Sequence, residues 1–366
     1  MRRIRFAVVG EGYIAQAAVL PAFRNASKHA ELTALVSGDR VKLSRTGKTY
    51  GVSRLYTYDQ FDEMLSSGAV DAVYIALPND LHREYTVRAA GAGLHVLCEK
   101  PMAVTEDDCV AMIEAAERAG VKLMIAYRLH FEPAHLAAVE LARSGKLGDL
   151  KLFNSTFTMQ VYPPNIRLEA ERGGGTLYDI GIYCINAARY FLGAEPVEAL
   201  AVTANTGDRR FREVDEATSA VLRFPDGRLA SFLCSFGAAD ISSLTLAGTG
   251  GHLEMDPAYE YAQGISLHVT ADGRRRRRDF GKHDQFAAEL IYFANCILRD
   301  QEPEPSGKEG LIDVRIILAL YESARIGQSV TMEVPSKVRR PSRRQEMALP
   351  GIRRPRLVHT RGPSER

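Results

Sequence analysis

The chain has 366 residues, 46% hydrophobic and 25% charged, with a formal net charge of +2. At roughly 100–200 residues per domain this length implies two domains, and the composition is that of a globular protein, not a disordered or fibrous one. A charge so near zero makes no general case for nucleic acid, and no stretch approaches the ~18 apolar residues of a membrane span.

From Ile4 the chain alternates apolar β-branched runs with helical patterns. "IRFAVVG" reads as a strand, and "IAQAAVLPAFRNA" as a helix that Pro21 interrupts. "ELTALVS" is a second strand, followed by the helix "VKLSRTGKTYG". "RLYTY" and "YDQFDEMLSSG" follow, then the apolar strand "VDAVYIALP" and the helix "NDLHREYTVRAAGAG". "LHVLCEK" is the fifth strand, "TEDDCVAMIEAAERAG" a helix opened by Thr105, and "VKLMIAY" the sixth strand. Strands this apolar, separated by helices, belong in a parallel doubly wound sheet covered on both faces. The basic start, "MRRIRFAVVGEGY", has too short an apolar run for the roughly 7–15 residues of a signal-peptide core. The cytoplasm is therefore the expected compartment.

The loop after the first strand, "GEGYIA", fits G-x-G-x-x-A through Gly10, Gly12 and Ala15, with Tyr13 and Ile14 between. Gly10 permits the tight turn, Gly12 admits a pyrophosphate to the backbone, and Ala15 lets helix and strand pack closely. The helix N-terminus then favours the phosphate charge. Following the first strand of a βα series, the motif predicts dinucleotide binding. An acidic residue ending the second strand would hold the ribose 2′-hydroxyl of NAD. Here Ser37 takes that place, followed by Gly38, Asp39, Arg40 and, two further on, Lys42. A small hydroxyl, a glycine and nearby cations suit the 2′-phosphate of NADP, although Asp39 could still reach a ribose.

Beyond Tyr127 the pattern changes. "AHLAAVELARSGKLG" is helical; "KLFNSTFTMQV", "PVEALAVTANT", "EATSAVLRF", "LASFLCSFG", "SLTLAGTGGHLEMD" and "ISLHVT" read as successive strands of a large, mainly antiparallel open sheet. One face of such a sheet carries helices, and the other is available for two-fold association as a dimer or tetramer. The closing helices are "HDQFAAELIYFANCIL" and "GLIDVRIILALYESARIG". The expected organisation is a Rossmann domain over residues 1–126 and an α+β domain over 127–334. Residues 335–366 form a basic, Pro- and Arg-rich tail, either disordered or an arm on a neighbour. "RRRRR" after Asp272-Gly273 reads as a solvated strand end. Cys98, Cys109, Cys184, Cys234 and Cys296 form no CxxC pair, and His82, His130 and His135 lack metal-ligand spacing, so neither a disulfide framework nor a metal is expected.

Several motifs remain: "ALPNDLH", "CEKPMA", "AYRLHFEP" and "GGGTLYDIGIYCINAARYFLG". Together with "GEGYIA" they resemble the glucose–fructose oxidoreductase, inositol dehydrogenase and rhizopine-catabolism group (Gfo/Idh/MocA), over about Ile4 to Val330. The resemblance implies that Lys100 of the Glu99-Lys100-Pro101 turn is catalytic, with Asp179 and Tyr183 completing the site. Many members of the group carry histidine where Tyr183 stands; the tyrosine resembles the glucose–fructose oxidoreductase branch. It also implies cofactor contacts from Leu77, Pro78, Asn79, His82, Glu99, Arg128 and Arg167, and a sugar contact from Tyr162. Asp179 and Tyr183, at i and i+4 of one helix, share a face on their own account. The implied activity is NADP-dependent oxidation of an aldose at its anomeric carbon. Tyr183 would take the hydroxyl proton, Lys100 would favour the phenolate, and a second sugar could be reduced in turn. An inositol or other polyol or keto-sugar dehydrogenase, and a non-catalytic dinucleotide sensor, are the alternatives.

Overall fold

The computed structural model describes residues 2–333 and 341–365. They form two compact units: residues 2–128 with Asp284–Leu311 and Met347–Gly362, and Leu129–His283 with 312–333, 341–346 and 363–365.

In chain order the first unit begins β1 (Ile4–Val9), α1 (Leu20–Ala26), β2 (Ala30–Val36), α2 (Arg40–Tyr50), β3 (Arg54–Tyr56) and α3 (Phe61–Ser66). It continues with β4 (Ala72–Ile75), α4 (His82–Gly91), β5 (His95–Glu99), α5 (Glu106–Ala119) and β6 (Leu123–Ala126). All six strands pair in parallel in the order β3-β2-β1-β4-β5-β6, the doubly wound arrangement expected from the apolar runs. Phe6, Val8, Val73, Ile75, Val96 and Leu97 are fully buried within it.

The second unit holds α6 (Pro133–Arg143), β7 (Leu150–Thr158), α7 (Ile182–Leu192), β8 (Glu198–Ala204), β9 (Ala217–Arg223) and β10 (Leu229–Ser235). Then come β11 (Ile241–Gly248), β12 (Gly251–Met255), β13 (Ile265–Ala271) and β14 (Arg274–Phe280). After α8 (Gln285–Leu298) and α9 (Gly307–Ile326), β15 (Val330–Thr331) joins the same sheet. Its order is β14-β13-β12-β11-β7-β10-β9-β8-β15, antiparallel throughout except for the parallel pair β10–β7. The expected single strand "SLTLAGTGGHLEMD" is a hairpin, because Thr249-Gly250 reverse the chain between β11 and β12. The five arginines are a full edge strand, β14, opposite β13. Charge on an edge strand opposes unwanted pairing with another chain.

Three features depart from the sequence expectations. Pro21 does not interrupt its helix. Ala15–Val19 form a π-turn that runs directly into α1, so Pro21 lies inside one continuous helical run, just after the wide turn that breaks the regular i−4 ladder. Next, α8 clusters with the first unit, where residues 127–334 had been expected to form one domain. Phe293 of α8 packs against Phe6 with ring centroids 6.3 Å apart, and Asn25 Nδ2 donates to Asp284 Oδ2 at 2.8 Å. Finally, of the expected tail, residues 335–340 lie outside the described residues, and 341–365 lie along their own chain. Arg143 Nη1 donates to Pro341 O (2.8 Å), Asp284 N to Leu349 O (3.1 Å) and Tyr162 N to Pro363 O (3.0 Å). Those main-chain groups are satisfied by protein where a disordered chain would use water.

A buried charge cluster anchors α7. Arg189, with no exposed surface, donates from Nε and Nη2 to Glu195 (2.6 and 3.0 Å) and from Nη1 to Asp313 (2.5 Å). Removing one member of such a network leaves buried charge uncompensated. Arg189→Met should therefore destabilise by about 3–5 kcal/mol, read as a lower urea midpoint in the second unit's transition.

Candidate active site

In the first unit the carboxyl ends of the parallel strands carry the chemistry-bearing loops. Gly10, at the end of β1, has φ +96°, and an added Cβ would lie 2.5 Å from Ala76 O, so glycine is required there. At Gly12 an added Cβ would meet no described atom within 4 Å: the loop is open where a pyrophosphate needs room. Tyr13 and Ile14 are half-buried, and Ala15 is buried under the π-turn.

At the end of β2, Ser37 is buried and its Oγ accepts from Asp39 N at 3.3 Å; Gly38 is exposed. Asp39 is the N-cap of α2. Its Oδ1 accepts from Val41 N (2.8 Å) and Lys42 N (3.1 Å), while Oδ2 accepts from His359 Nδ1 at 2.7 Å. The His359 bond and the cap bonds hold its carboxyl below the usual range. Both oxygens of the acid that could have read a ribose hydroxyl are thus engaged, which suits NADP over NAD.

Leu77 is buried and Pro78 and Asn79 are half-buried after β4. His82, expected to touch the cofactor, is fully buried. Its Nδ1 lies 2.9 Å from Pro101 O and its Nε2 2.9 Å from Leu77 O, so it ties the β4 and β5 loops together beneath the surface. Glu99 accepts from Tyr74 Oη (2.8 Å) through Oε1 and from Lys100 N (3.2 Å) through Oε2. Burial pushes its carboxyl up in pKa, against the pull of Lys100. The half-buried Lys100 follows directly, joined to Pro101 by a cis peptide bond. Arg128, also expected at the cofactor, is buried and donates from Nη1 to Gln285 Oε1 at 2.5 Å.

In the second unit a π-turn, Leu177–Gly181, leads into α7 and contains Asp179; Tyr183 lies in the first turn of α7. Such turns occur often at functional sites. Gly175, just before it, has φ +118°, and a Cβ there would lie 2.4 Å from Tyr321 Oη. Asp215 pins the same turn by accepting from Thr176 N (3.2 Å), Thr218 Oγ1 (2.8 Å) and Tyr321 Oη (3.1 Å). Arg167, expected at the cofactor, donates from Nε to Asp179 Oδ2 at 2.5 Å. Burial opposes its charge, but Asp179 outweighs that and raises its pKa. Tyr183 is half-buried between Phe157 and Tyr259, with ring centroids 5.6 and 5.9 Å away. Tyr162, the sugar-side candidate, is half-buried under the Arg210 guanidinium, 5.1 Å from its ring centroid. Lys100, Arg128 and the dinucleotide loop therefore belong to the first unit, and Tyr162, Arg167, Asp179 and Tyr183 to the second.

The sequence reading missed Glu11, Gln16, Asp215 and His359. Asp39 as an N-cap was legible from an acid directly ahead of a helical pattern; the others carry no local signal.

Comparison with known proteins matches residues 4–127 to the description "Oxidoreductase family, NAD-binding Rossmann fold" of Gfo/Idh/MocA proteins, and 135–254 to their C-terminal domain. The chain belongs to the Gfo/Idh/MocA oxidoreductase family. It is 34% identical over 337 residues to D-xylose 1-dehydrogenase [NADP(+)] of Haloarcula marismortui, covering 90% of this chain and 93% of that one. It is 33% identical to a dTDP-3,4-didehydro-2,6-dideoxy-alpha-D-glucose 3-reductase of Streptomyces violaceoruber, over 82% of this chain and 86% of that one. Among solved structures, aldose-aldose oxidoreductase from Caulobacter crescentus, complexed with glycerol, is 40% identical with a TM-score of 0.86, covering 90% of this chain and all of that one. The open Gly10–Ala15 loop and the engaged Asp39 fit the cofactor named for the first of these relatives. The chain is an NADP-dependent oxidoreductase. Gly10 and Gly12 lie in the loop after β1, and Gly38 and Lys42 between the end of β2 and the first turn of α2. Among the described residues no helix is long and apolar enough to cross a membrane, and no group of three or more His, Cys, Asp or Glu could hold a metal.

Glu11 lies between the two loop glycines, buried, with Oε1 accepting from Thr46 Oγ1 at 2.5 Å and Oε2 without a partner among the described residues. Burial pushes its pKa from 4.5 up to about 7. Between those values the unfolded chain has lost a proton that the folded chain keeps, so stability falls as pH rises through that window. Glu11→Gln should abolish this fall: the variant should gain on wild type in urea midpoint between pH 5 and pH 8. A constant difference across those pH values would contradict the assignment.

Proposed function

We propose that the chain oxidises the anomeric carbon of an aldose in its pyranose form, giving a lactone. The observation that carries the reading is the pairing of Asp179 and Tyr183, four residues apart on one turn, with Arg167 clamping the carboxylate. The likeness to a D-xylose dehydrogenase and to an aldose-aldose oxidoreductase supports it.

NADP, when bound, supplies the two-electron acceptor for the hydride leaving the anomeric carbon. Tyr183, as phenolate, takes the proton of the anomeric hydroxyl, so the C–H bond breaks as the carbonyl forms. A free phenol titrates near 10, too high for an efficient base at neutral pH. Lys100 supplies the positive charge in this reading. Asp179, fixed by Arg167, orients the sugar hydroxyl. Run backwards, the same residues reduce a second sugar. The likeness to the 3-reductase favours a second reading, reduction of a keto-sugar, with the same residues delivering the proton.

Lys100→Met keeps the aliphatic stem and removes the charge. Turnover with a panel of aldoses, followed at the reduced-nicotinamide absorbance, should fall by about 10²–10⁴, the usual worth of acid–base assistance. NADP affinity should change little, and activity should recover toward alkaline pH. Tyr183→Phe should be as slow, without that recovery. Wild-type turnover in Lys100→Met would overturn the assignment, and tight dinucleotide binding without turnover on any sugar would favour a sensor.

Association through the sheet face is part of the same proposal. Leu152, Leu200, Val202, Leu229, Leu233 and Ile241 are exposed on β7, β8, β10 and β11, an apolar set on one sheet. Light scattering should give a dimer or a dimer of dimers, and Val202→Asp with Leu233→Asp should halve the mass. A wild-type monomer at micromolar concentration would exclude the arrangement.

A further inference from the structure

The segment Met347–Gly362 is absent from the dinucleotide fingerprint, yet it runs across every element that carries it. Asn25 Nδ2, on α1, donates to Pro350 O at 2.8 Å. The Arg354 guanidinium lies 5.4 Å from the centroid of the Tyr13 ring, inside the glycine loop. Gln16, buried in the π-turn after that loop, uses both ends of its amide on one residue: Nε2 donates to Val358 O (3.0 Å) and Oε1 accepts from Val358 N (2.8 Å). Its Nε2 also donates to Glu11 O at 2.9 Å, joining the segment to the loop itself. One step later His359 reaches Asp39 at the end of β2. His359 has φ +47°, a conformation that an ordinary residue adopts at a cost and that marks a side chain held by its partner.

The charge of the segment is equally one-sided. Arg353, Arg354, Arg356 and Arg361 fall between Met347 and Gly362, with no acid among them. A buried amide paired to main chain, an aspartate tied to a histidine and the Arg354 guanidinium thus lie beside the glycine loop and the end of β2, on a segment that carries three further arginines.

We propose that Met347–Gly362 is part of the dinucleotide site, and that His359 is a specificity-determining residue which selects NADP by holding Asp39. An Asp39 carboxylate released from His359 would accept from the ribose 2′-hydroxyl of NAD and repel the 2′-phosphate of NADP. Held by His359 and the α2 amides, it does neither. The arginines add attraction for the phosphates, and the Val358–Gln16 pair keeps the segment across the bound cofactor, slowing its release. His359 acts through Asp39 and is a positioning residue. The inference rests on NADP binding by the first unit and is independent of which sugar reacts.

The test is direct binding of NADP and NAD to the full chain, followed by titration calorimetry and, for the rates, by tyrosine fluorescence in stopped flow, since the chain has no tryptophan. In His359→Ala the ratio of NAD to NADP dissociation constants should fall by about five- to tenfold, a coupling of ordinary size. In an Asp39→Asn background, which keeps a capping side chain, adding His359→Ala should leave the ratio unmoved, because the carboxylate it restrains is gone. Val358→Pro removes the N–H that Gln16 accepts from and should speed NADP dissociation by about tenfold, with association little changed. An unchanged ratio in His359→Ala, or the same fall in the Asp39→Asn background, would overturn the role of His359. Tighter NADP binding in Val358→Pro would make the segment a plug and overturn its place in the site. If the wild type bound neither dinucleotide, the cofactor assignment itself would fail and this inference with it; dinucleotide binding that ignores all three variants would sink this inference alone.

Discussion

Both ring nitrogens of His82 lie 2.9 Å from main-chain carbonyls, Leu77 O and Pro101 O, and the carboxyl edge of the first sheet depends on that bridge. The two carbonyls end the loops after β4 and β5, which pair side by side. Burial pushes the imidazole pKa down, against the two carbonyls; the neutral ring donates to one of them, and only the imidazolium donates to both. Glu99 then fixes the turn from its other side, taking the Tyr74 hydroxyl and the Lys100 amide. Lys100 is thereby carried on a short stretch whose main chain is set from two directions. The role proposed for Lys100 needs that, because a misplaced group assists little whatever its charge.

A similar economy holds in the second unit. Asp179 sits in a π-turn entered through Gly175 and the Asp215 cluster, and Arg167 returns to its carboxylate. Asp179 and Tyr183, four positions apart, are both half-exposed, while Ile180, Gly181, Ile182 and Cys184 stay buried. Glu99 and Glu289 show the opposite use of burial. Both carboxyls are pushed up in pKa by desolvation, Glu99 at the end of β5 and Glu289 in α8, both within the first unit.

The six parallel strands were legible because each is an unbroken apolar run, which only a sheet covered on both faces accommodates. The dinucleotide loop was legible because its glycines answer steric needs at fixed spacing. The π-turns were not: they insert no distinctive residue, and their helices read as regular from "IAQAAV" and "LYDIGI". Arg128 and Arg167 were placed at the cofactor by likeness of motif, whereas their partners, Gln285 and Asp179, lie 157 and 12 positions along the chain. Most opaque was the segment after Glu346. Its composition is that of a disordered chain, and what orders it is a glutamine amide 342 positions upstream, which no local pattern announces.

The order in which the chain visits its two units bears on how the protein is made. It opens in the first unit, enters the second at Leu129, returns at Asp284, leaves within α9, and comes back for Met347–Gly362. A ribosome extending the chain at roughly 5–20 residues per second makes all six strands of the first sheet before it reaches the second unit. The residues that pair with Gln16 and Asp39 emerge only near the end. For most of translation the nucleotide loop therefore stands exposed, with Asp39 unrestrained and α8 not yet docked on β1. In that interval Asp39 lacks its His359 partner and Gln16 its Val358 partner.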